Sequence, residues 1–548
     1  MLFRSALLQG KAASEGTPER WKEALGAVRR AVASAEADDV PENIRSRAAK
    51  ALADVEAAAQ SADERSGEAA RWTRLLRTLD EIDLASTEPG DAAALAARSV
   101  AFAEYGLVLE DGTPEVLAAR IRGTAAPLRI AAALDEIAWT RKARALPDDR
   151  LRAIVAALDP DPVRTRIRSP RGPGELRKIA SGDAAANFPV ETALTLGQSL
   201  LRLDAVDEAI DVSAGLQRRF PGEFAAHVLH ANALRAAGVP TTLGVVRDAT
   251  TLVALRDDSP SAWTRLGAAF AAHGAFPEAE SALKRALALD PKSASAKIAL
   301  ADVNAARGDW DAALAAAGEA VAVNPDSIDS QFALGRALRR RGRYADALAA
   351  LRRGRELASK NPRPREGDVE SVETVERLAA LAGRIAELKA GRVEPADAGE
   401  RLAWAQVCAG SGLYSRAADL YAVCLAEDPA LTADFRREVR LDAACAAALA
   451  VPRPEGRPTA LDEAQFAPRR RQAIDWLRAD LDAWSANFAA DPRLPAADVR
   501  RRFARWTEGP ELAGLRDRAA LAAMPDADRV EWTALWADVR GLLARARQ

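Results

Sequence analysis

The sequence predicts an all-α fold, a right-handed α-solenoid flanked by further helices, and three observations predict it. Gly274, Gly308 and Gly342 stand 34 residues apart; Leu266, Leu300 and Leu334 precede them at one offset, and Ala279, Ala313 and Ala347 follow at another. Hydrophobic residues make up 49% of the 548-residue chain but aromatics only 5%, so much of the apolar share is alanine, the strongest helix former. A further 28% is charged, which supplies the solvated faces of helices. A unit of this period cannot bury its apolar face alone and must stack on its neighbours.

The elements follow in order. Residues 1–168 read as a helical region without the period: Trp21, Leu25, Val28 and Val32 fall at helical spacing, as do Trp72, Leu75, Leu76 and Leu79. Breaks fall at Pro89-Gly90, Gly112-Thr113-Pro114 and Asp159 to Pro162, and Ser169 to Gly174 opens a linker over 169–189. Five repeats then cover 190–361. The first carries Leu196-Gly197, Leu200, Ala209 and Pro221; the second, from Phe224, carries Leu234, Gly238 and Pro260, with about two extra residues near Pro240 to Thr242. The third is the fullest: Trp263, Leu266, Gly267, Phe270, Gly274, Phe276, Ala279, Leu283, Ala286 and Pro291. The fourth, from Ala294, keeps Leu300, Gly308, Trp310, Ala313 and Pro325; the fifth, from Ile328, keeps Leu334, Gly335, Gly342, Tyr344 and Ala347. Asn361 to Pro364 ends the array. A connecting helix (362–397), a further repeat-like unit and helix (398–450) and a loop (451–468) lead to a helical cap over 469–548, with five of the eleven tryptophans.

The spacing has a physical basis. Small residues after the leucine, and alanine in the second helix, let the two helices cross closely. The glycine ends the first helix in a left-handed conformation, and the proline opens the next unit.

The in-phase anchors resemble the tetratricopeptide repeat, a helix-turn-helix unit of 34 residues. The stretches Asp442 to Ala450, Arg470 to Leu481 and Leu535 to Val539, with Phe102 to Gly106 and Asp159 to Pro162, resemble the non-catalytic C-terminal region of planctomycete serine/threonine protein kinases. The resemblance implies association with such a kinase domain, in cis or in trans. Kinase motifs themselves are absent: there is no Gly-rich phosphate loop, no His-Arg-Asp and no Asp-Phe-Gly. The expectation is a non-enzymatic scaffold that binds a peptide or protein in a concave groove; the alternative is the C-terminal fragment of a kinase.

By register, the first helices would present Asn232, Arg235, Thr264, Arg265, Asp302, Phe332, Arg336 and Arg339 to that groove. Arg339, Arg340, Arg341 and Arg343, with Arg352, Arg353 and Arg355, form a basic knot that would grip an acidic or phosphorylated peptide or lie as a solvated face. His227 and His230 share one helix face, but no nearby ligands complete a metal site. Cys408, Cys424 and Cys445 read as buried, inert thiols, and the C-terminal tryptophans read as core in preference to a binding patch. With 77 basic and 79 acidic residues, a net charge of -2 favours neither nucleic acid nor an anionic membrane. No apolar run is long enough to span a bilayer. A cytoplasmic protein without cofactor or metal is expected.

Overall fold

The computed structural model describes residues 9, 11–15, 17–35, 41–86, 92–124, 126–182, 184–237, 243–359, 368–451, 460–491 and 494–547, which are helical apart from their turns and loops. The expected breaks at Pro89-Gly90, Pro240 to Thr242 and Asn361 to Pro364, and residues 452–459 of the loop expected over 451–468, lie outside the described residues, as does Gly238; residues 460–468 of that loop are instead the start of a helix. The chain forms two compact units, Met1–Leu203 and Asp204–Gln548.

In the first unit, α1 (Pro18–Ala35) lays Trp21, Ala24 and Val28 against Val55, Ala59 and Ala62 of the long α2 (Glu42–Ala85). The far end of α2 supplies Trp72, Leu75 and Leu79 to a second core. Its other walls are α3 (Ala92–Glu104), α4 (Pro114–Arg122), α5 (Pro127–Ala143) and α6 (Asp149–Leu158), which bury Phe102, Ile121, Leu134 and Ile154 there. Turn chemistry starts the helices: Thr113 caps α4 and Asp161 caps α7 (Pro162–Arg168), each followed by proline in the first helical position. Residues 169–189 hold a short helix, α8 (Pro173–Ala180), and a single 3-10 turn at Ala185–Asn187. The unit closes with α9 (Val190–Arg202), whose Arg202 is buried and donates to Asp135 and Glu136 of α5.

The second unit is an α-solenoid. After α10 (Val206–Arg219) come the helix pairs α11/α12 (Phe224–Ala236, Leu243–Leu255), α13/α14 (Pro260–Ala272, Phe276–Leu289), α15/α16 (Ala294–Ala306, Trp310–Val323) and α17/α18 (Ile328–Arg340, Tyr344–Ser359). In two of the pairs the helices cross at a glycine: a Cβ on Gly267 would stand 2.6 Å from Leu283 Cγ, and one on Gly335 would stand 2.6 Å from Leu351 Cγ. The turns between paired helices use Gly274, Gly308 and Gly342 at φ +76°, +79° and +69°, a region that any larger side chain enters at a cost. A second 34-residue series also emerges. Ser259, Ser293 and Ser327 each accept the backbone N–H three residues on and start the first helix of a pair.

Beyond α18 the chain continues through α19 (Asp368–Gly383), α20 (Ile385–Lys389), α21 (Ala398–Gly410), α22 (Tyr414–Glu427), α23 (Val439–Leu449), α24 (Ala460–Ala490), α25 (Ala496–Glu508), α26 (Ala513–Arg516), α27 (Arg518–Ala522) and α28 (Asp526–Arg545). One apolar core runs through this part, joining Trp404, Tyr421 and the alanines Ala443 to Ala448 to Trp484, Phe503, Trp506, Trp532 and Trp536. The aromatic rings touch in series from Phe435 through Trp484, Phe503, Trp506 and Trp536 to Trp532, largely edge to face. These tryptophans are core.

Candidate partner-binding groove

The ninth residue of successive first helices is Asn232, Ala268, Asp302 and Arg336, so the stacking of the repeats sets these four in a row. One adjacent pair is linked directly. Arg336 donates to Asp302 Oδ1 at 2.9 Å, with both side chains about half exposed (54% and 55%). Burial nevertheless pushes the Asp302 carboxyl above the usual carboxylate range, with Arg336 opposing and Asp329 adding to the rise. Water reaches this carboxylate from one side while protein surrounds it on the others.

At the other end of the row, Asn232 Oδ1 accepts from Arg265 at 2.5 Å and from Arg235 at 3.1 Å. Burial, and then the neighbouring Arg235, push Arg265 down to about 9. A guanidinium under that pressure is stabilised by any anion brought beside it. Ala268 apart, the row is polar, with two arginines beside Asn232 at one end and Asp302, Asp329 and Arg336 at the other.

Two residues expected at the groove are turned away from solvent. The Thr264 hydroxyl is buried and donates to the Pro260 carbonyl one turn back, at 2.8 Å. Phe332 is 5% exposed and packs with Leu351, Val372 and Val375, against the face of Gly354. A Cβ at Gly354 would stand 2.9 Å from the Phe332 ring, so the missing side chain is what admits the ring to the core. Arg339 is half-buried, and its pKa is lowered by burial and by Arg340.

The basic knot is not an open anion grip. Arg340 donates to Asp442 at 2.9 Å and to Glu438 at 2.7 Å, Arg341 pairs with Asp311 at 2.9 Å, and Arg343 pairs with Asp346 at 2.7 Å. Arg352 pairs with Glu376 at 2.8 Å and Arg353 with Asp326 at 2.6 Å. The chain's own carboxylates saturate most of the cluster.

The chain also covers one edge of its own repeats. Helix α25 lies against the C-terminal ends of α13 and α15. Arg501 donates to the Ala272 carbonyl at 2.9 Å, Arg500 Nε donates to the His273 carbonyl at 2.8 Å, and Glu508 pairs with Arg307 at 2.6 Å. Guanidinium groups set on the last carbonyls of a helix complement its negative dipole end. Ala504 packs with Val303, and the Arg505 aliphatic chain passes over Gly308. Arg505 then reaches Asp442 at 2.7 Å and Glu511 at 2.7 Å, and Arg340 and Arg505 both lie over the Trp310 ring. Sequence reasoning missed this interface because its partners lie more than 190 residues apart and α25 carries no period.

The remaining candidates have ordinary surroundings. His230 bonds Ser213 through Nδ1 at 3.0 Å and faces Asp248, while His227 bonds Gln217 and the Pro221 carbonyl. Among the described residues no group of His, Cys, Asp and Glu could hold a metal ion. Burial pushes the thiols of Cys408 and Cys424 up to about 11 and that of Cys445 higher still. No described helix is long and apolar enough to cross a membrane.

Comparison with known proteins agrees with the fold. Two family models for the tetratricopeptide repeat match, at residues 298–362 and 270–316, so the chain carries these repeats there. No curated protein matches. Similar solved structures include a thermophilic tetratricopeptide protein of Thermus thermophilus, 24% identical over 34% of this chain and 99% of that one, with a TM-score of 0.30. Another is YrrB, a tetratricopeptide protein with an unusual peptide-binding site: 13% identity over 34% and 92% of the two chains, TM-score 0.25. A monomeric mutant of IFIT1 with Gppp-AAAA matches at 12% identity over 85% of this chain and 95% of its own, TM-score 0.30. Repeats of this kind, on an all-helical fold, support a protein-interaction scaffold.

Proposed function

We propose that the scaffold binds an extended peptide segment of a partner protein along the row Asn232, Ala268, Asp302 and Arg336, with the acidic end of the peptide at Arg235 and Arg265 and its basic end at Asp302 and Asp329. The observation that carries this reading is the convergence of Arg265 and Arg235 on Asn232 at one end of a row whose other end sets two carboxylates, Asp302 and Asp329, against the single cation Arg336. Opposite potentials along a groove fix the direction of a bound chain more than they raise its affinity. The experiment uses two labelled ten-residue peptides that carry acidic and basic ends in opposite order on one Ala/Leu centre. Fluorescence anisotropy against the full chain at low salt should favour one order at least tenfold. Arg265→Glu combined with Asp302→Lys should reverse the preference; equal binding of both peptides by wild type sinks the reading.

Association with a serine/threonine kinase domain, in cis or in trans, is a second reading. It is supported by the tail stretches Asp442 to Ala450 and Arg470 to Leu481, which resemble that family. Open-frame sequence upstream of Met1 that encodes kinase motifs, or a separately encoded kinase that co-purifies with the native chain, would support it. A native chain that begins at Met1 and brings no kinase with it would end it.

A further inference from the structure

Arg339 differs from most of its basic knot. Arg340, Arg341, Arg343, Arg352 and Arg353 each hold a carboxylate, whereas the Arg339 guanidinium has neither hydrogen bond nor ion pair among the described residues. It is half-buried in the last turn of α17, three residues before Gly342. Burial and the adjacent Arg340 disfavour its charge. Asp442 and Glu438 oppose them, but both carboxylates are already held by Arg340 and Arg505. A half-buried cation left unpaired is disfavoured, and an anion brought beside it relieves that.

The surroundings of Arg339 are tightly built and rich in unpaired cations. Gly342 sits on the Gly410 backbone at the end of α21, and the Tyr344 hydroxyl beside Gly410 donates to the Gln406 carbonyl at 2.9 Å. Arg339 and Cys408 both act on the Tyr344 phenol. Lys389, the last residue of α20, and Arg416, in the first turn of α22, both act on the Cys408 thiol. Their side chains are exposed and, like that of Arg339, have no hydrogen bond or ion pair among the described residues. The first turn of α22 has no acidic residue and no side-chain cap, so the positive end of its dipole adds to these cations. Carboxylates on the same elements are engaged elsewhere: Glu387 with Arg384, Asp346 with Arg343 and Asp419 with Arg469.

We propose that the junction between the last repeat and α21 binds an acidic segment of a partner protein, with Arg339 as its half-buried anchor and Lys389 and Arg416 as its exposed flanks. A carboxylate meets the Arg339 fork bidentately, and the flanking cations suit further carboxylates along the same segment. Arg339 stands one helical turn beyond Arg336, and Lys389 and Arg416 belong to elements outside the row. The junction therefore binds its segment whether or not the row binds a peptide.

Fluorescence anisotropy on the full chain at low salt tests the junction, with a labelled peptide of alternating Asp and Ala and a reference in which Asn replaces Asp. Wild type should bind the acidic peptide at least tenfold more tightly than the reference. Arg339→Gln should weaken that binding about tenfold, and Lys389→Gln with Arg416→Gln, both exposed, about threefold. The double variant serves if Arg339→Gln folds poorly. Arg265→Glu, at the far end of the row, should change the affinity by less than about twofold. Equal affinity in wild type and both junction variants overturns the site. A loss in Arg265→Glu as large as that in Arg339→Gln marks a diffuse field or the row itself, and also overturns it. A single-stranded oligonucleotide of the same charge that binds as tightly as the peptide overturns the assignment to a protein segment. The unfolding midpoint of Arg339→Gln should match or exceed that of wild type, because the residue removed is an unpaired cation. A sharp drop would make Arg339 a structural residue and end its role as anchor.

Discussion

Gly342 and Gly410 meet backbone to backbone. A Cβ on Gly342 would stand 2.6 Å from the Gly410 carbonyl carbon, and one on Gly410 would stand 2.7 Å from Gly342 Cα. The last repeat turn is thus seated on the end of α21, where there is no flexible side chain to yield. Gly342→Ala combines a left-handed backbone, worth about 1–2 kcal/mol, with a clash that only a backbone shift relieves, and should destabilise by roughly 2–4 kcal/mol in all. Gly412→Ala is the control, because Gly412 has φ +73° but open space around its Cβ. Thermal unfolding should rank Gly342→Ala clearly below Gly412→Ala. Equal midpoints would mean that the contact contributes nothing.

Asp442 ties three segments together, accepting from Arg340 at 2.9 Å and from Arg505 at 2.7 Å on its way into a buried web. Removing one partner of such a web leaves buried cations uncompensated, typically at a cost of about 3–5 kcal/mol, well above any exposed pair. Asp442→Ala should therefore lower the unfolding midpoint strongly. Asp346→Ala, which breaks the exposed Arg343 pair, should shift it by less than about 1 kcal/mol. A similar loss from both variants would show that the web is no stronger than a surface pair.

Legibility divided along sequence distance. Gly267, Gly274, Ala279 and their 34-residue copies make contacts inside one repeat, so their period displays what they do. Ser259, Ser293 and Ser327 were equally periodic, but a serine before a proline, an alanine or an isoleucine is a common sight, and only the cap geometry gives it meaning. Phe332 was placed by register alone. Its position on the first helix suits a groove, but Gly354, 22 residues later, opens a slot that draws the ring inward. That glycine was the available signal. Asn232 and Arg265 were placed on the first helices by register, whereas their convergence depends on two repeats meeting in space. The pairing of Arg340 with Asp442, and of Arg500 with His273, crosses 102 and 227 residues, and nothing local announces either.

The three cysteines should be silent in the folded protein. All are buried, and thiols pushed up to about 11 or beyond carry a thiolate fraction on the order of one in a thousand at pH 8. Iodoacetamide at pH 8 should leave the native chain essentially unlabelled over an hour and label all three sites in denaturant. Rapid native labelling at Cys408 would show that α21 opens well below the global unfolding barrier.

Acid should weaken the second unit in two steps whose signs follow from its buried groups. Burial pushes His230 below the ordinary 6.5, with His227, Arg247 and Arg218 adding to the fall and Asp248 opposing it. The unfolded chain then binds this proton more readily than the folded one. The contribution of His230 is complete above about pH 6.5 and is lost as pH falls from there through its folded value. Asp442 follows at lower pH. Its folded pKa of about 2 lies under the ordinary 3.8, so its contribution, about 2 kcal/mol, is complete above roughly pH 4 and lost toward pH 2. Asp480 runs the other way, since burial raises its pKa above 3.8, and acid relieves a charge that burial disfavours. Unfolding midpoints at pH 8, 6.5, 5.5, 4 and 2.5 should therefore drop first below 6.5 and again below 4. His230→Gln, which keeps a hydrogen-bonding group against Ser213, should flatten that first step and leave the Asp442 step in place. An unchanged first step in this variant would assign it elsewhere, with His273 the next histidine to replace.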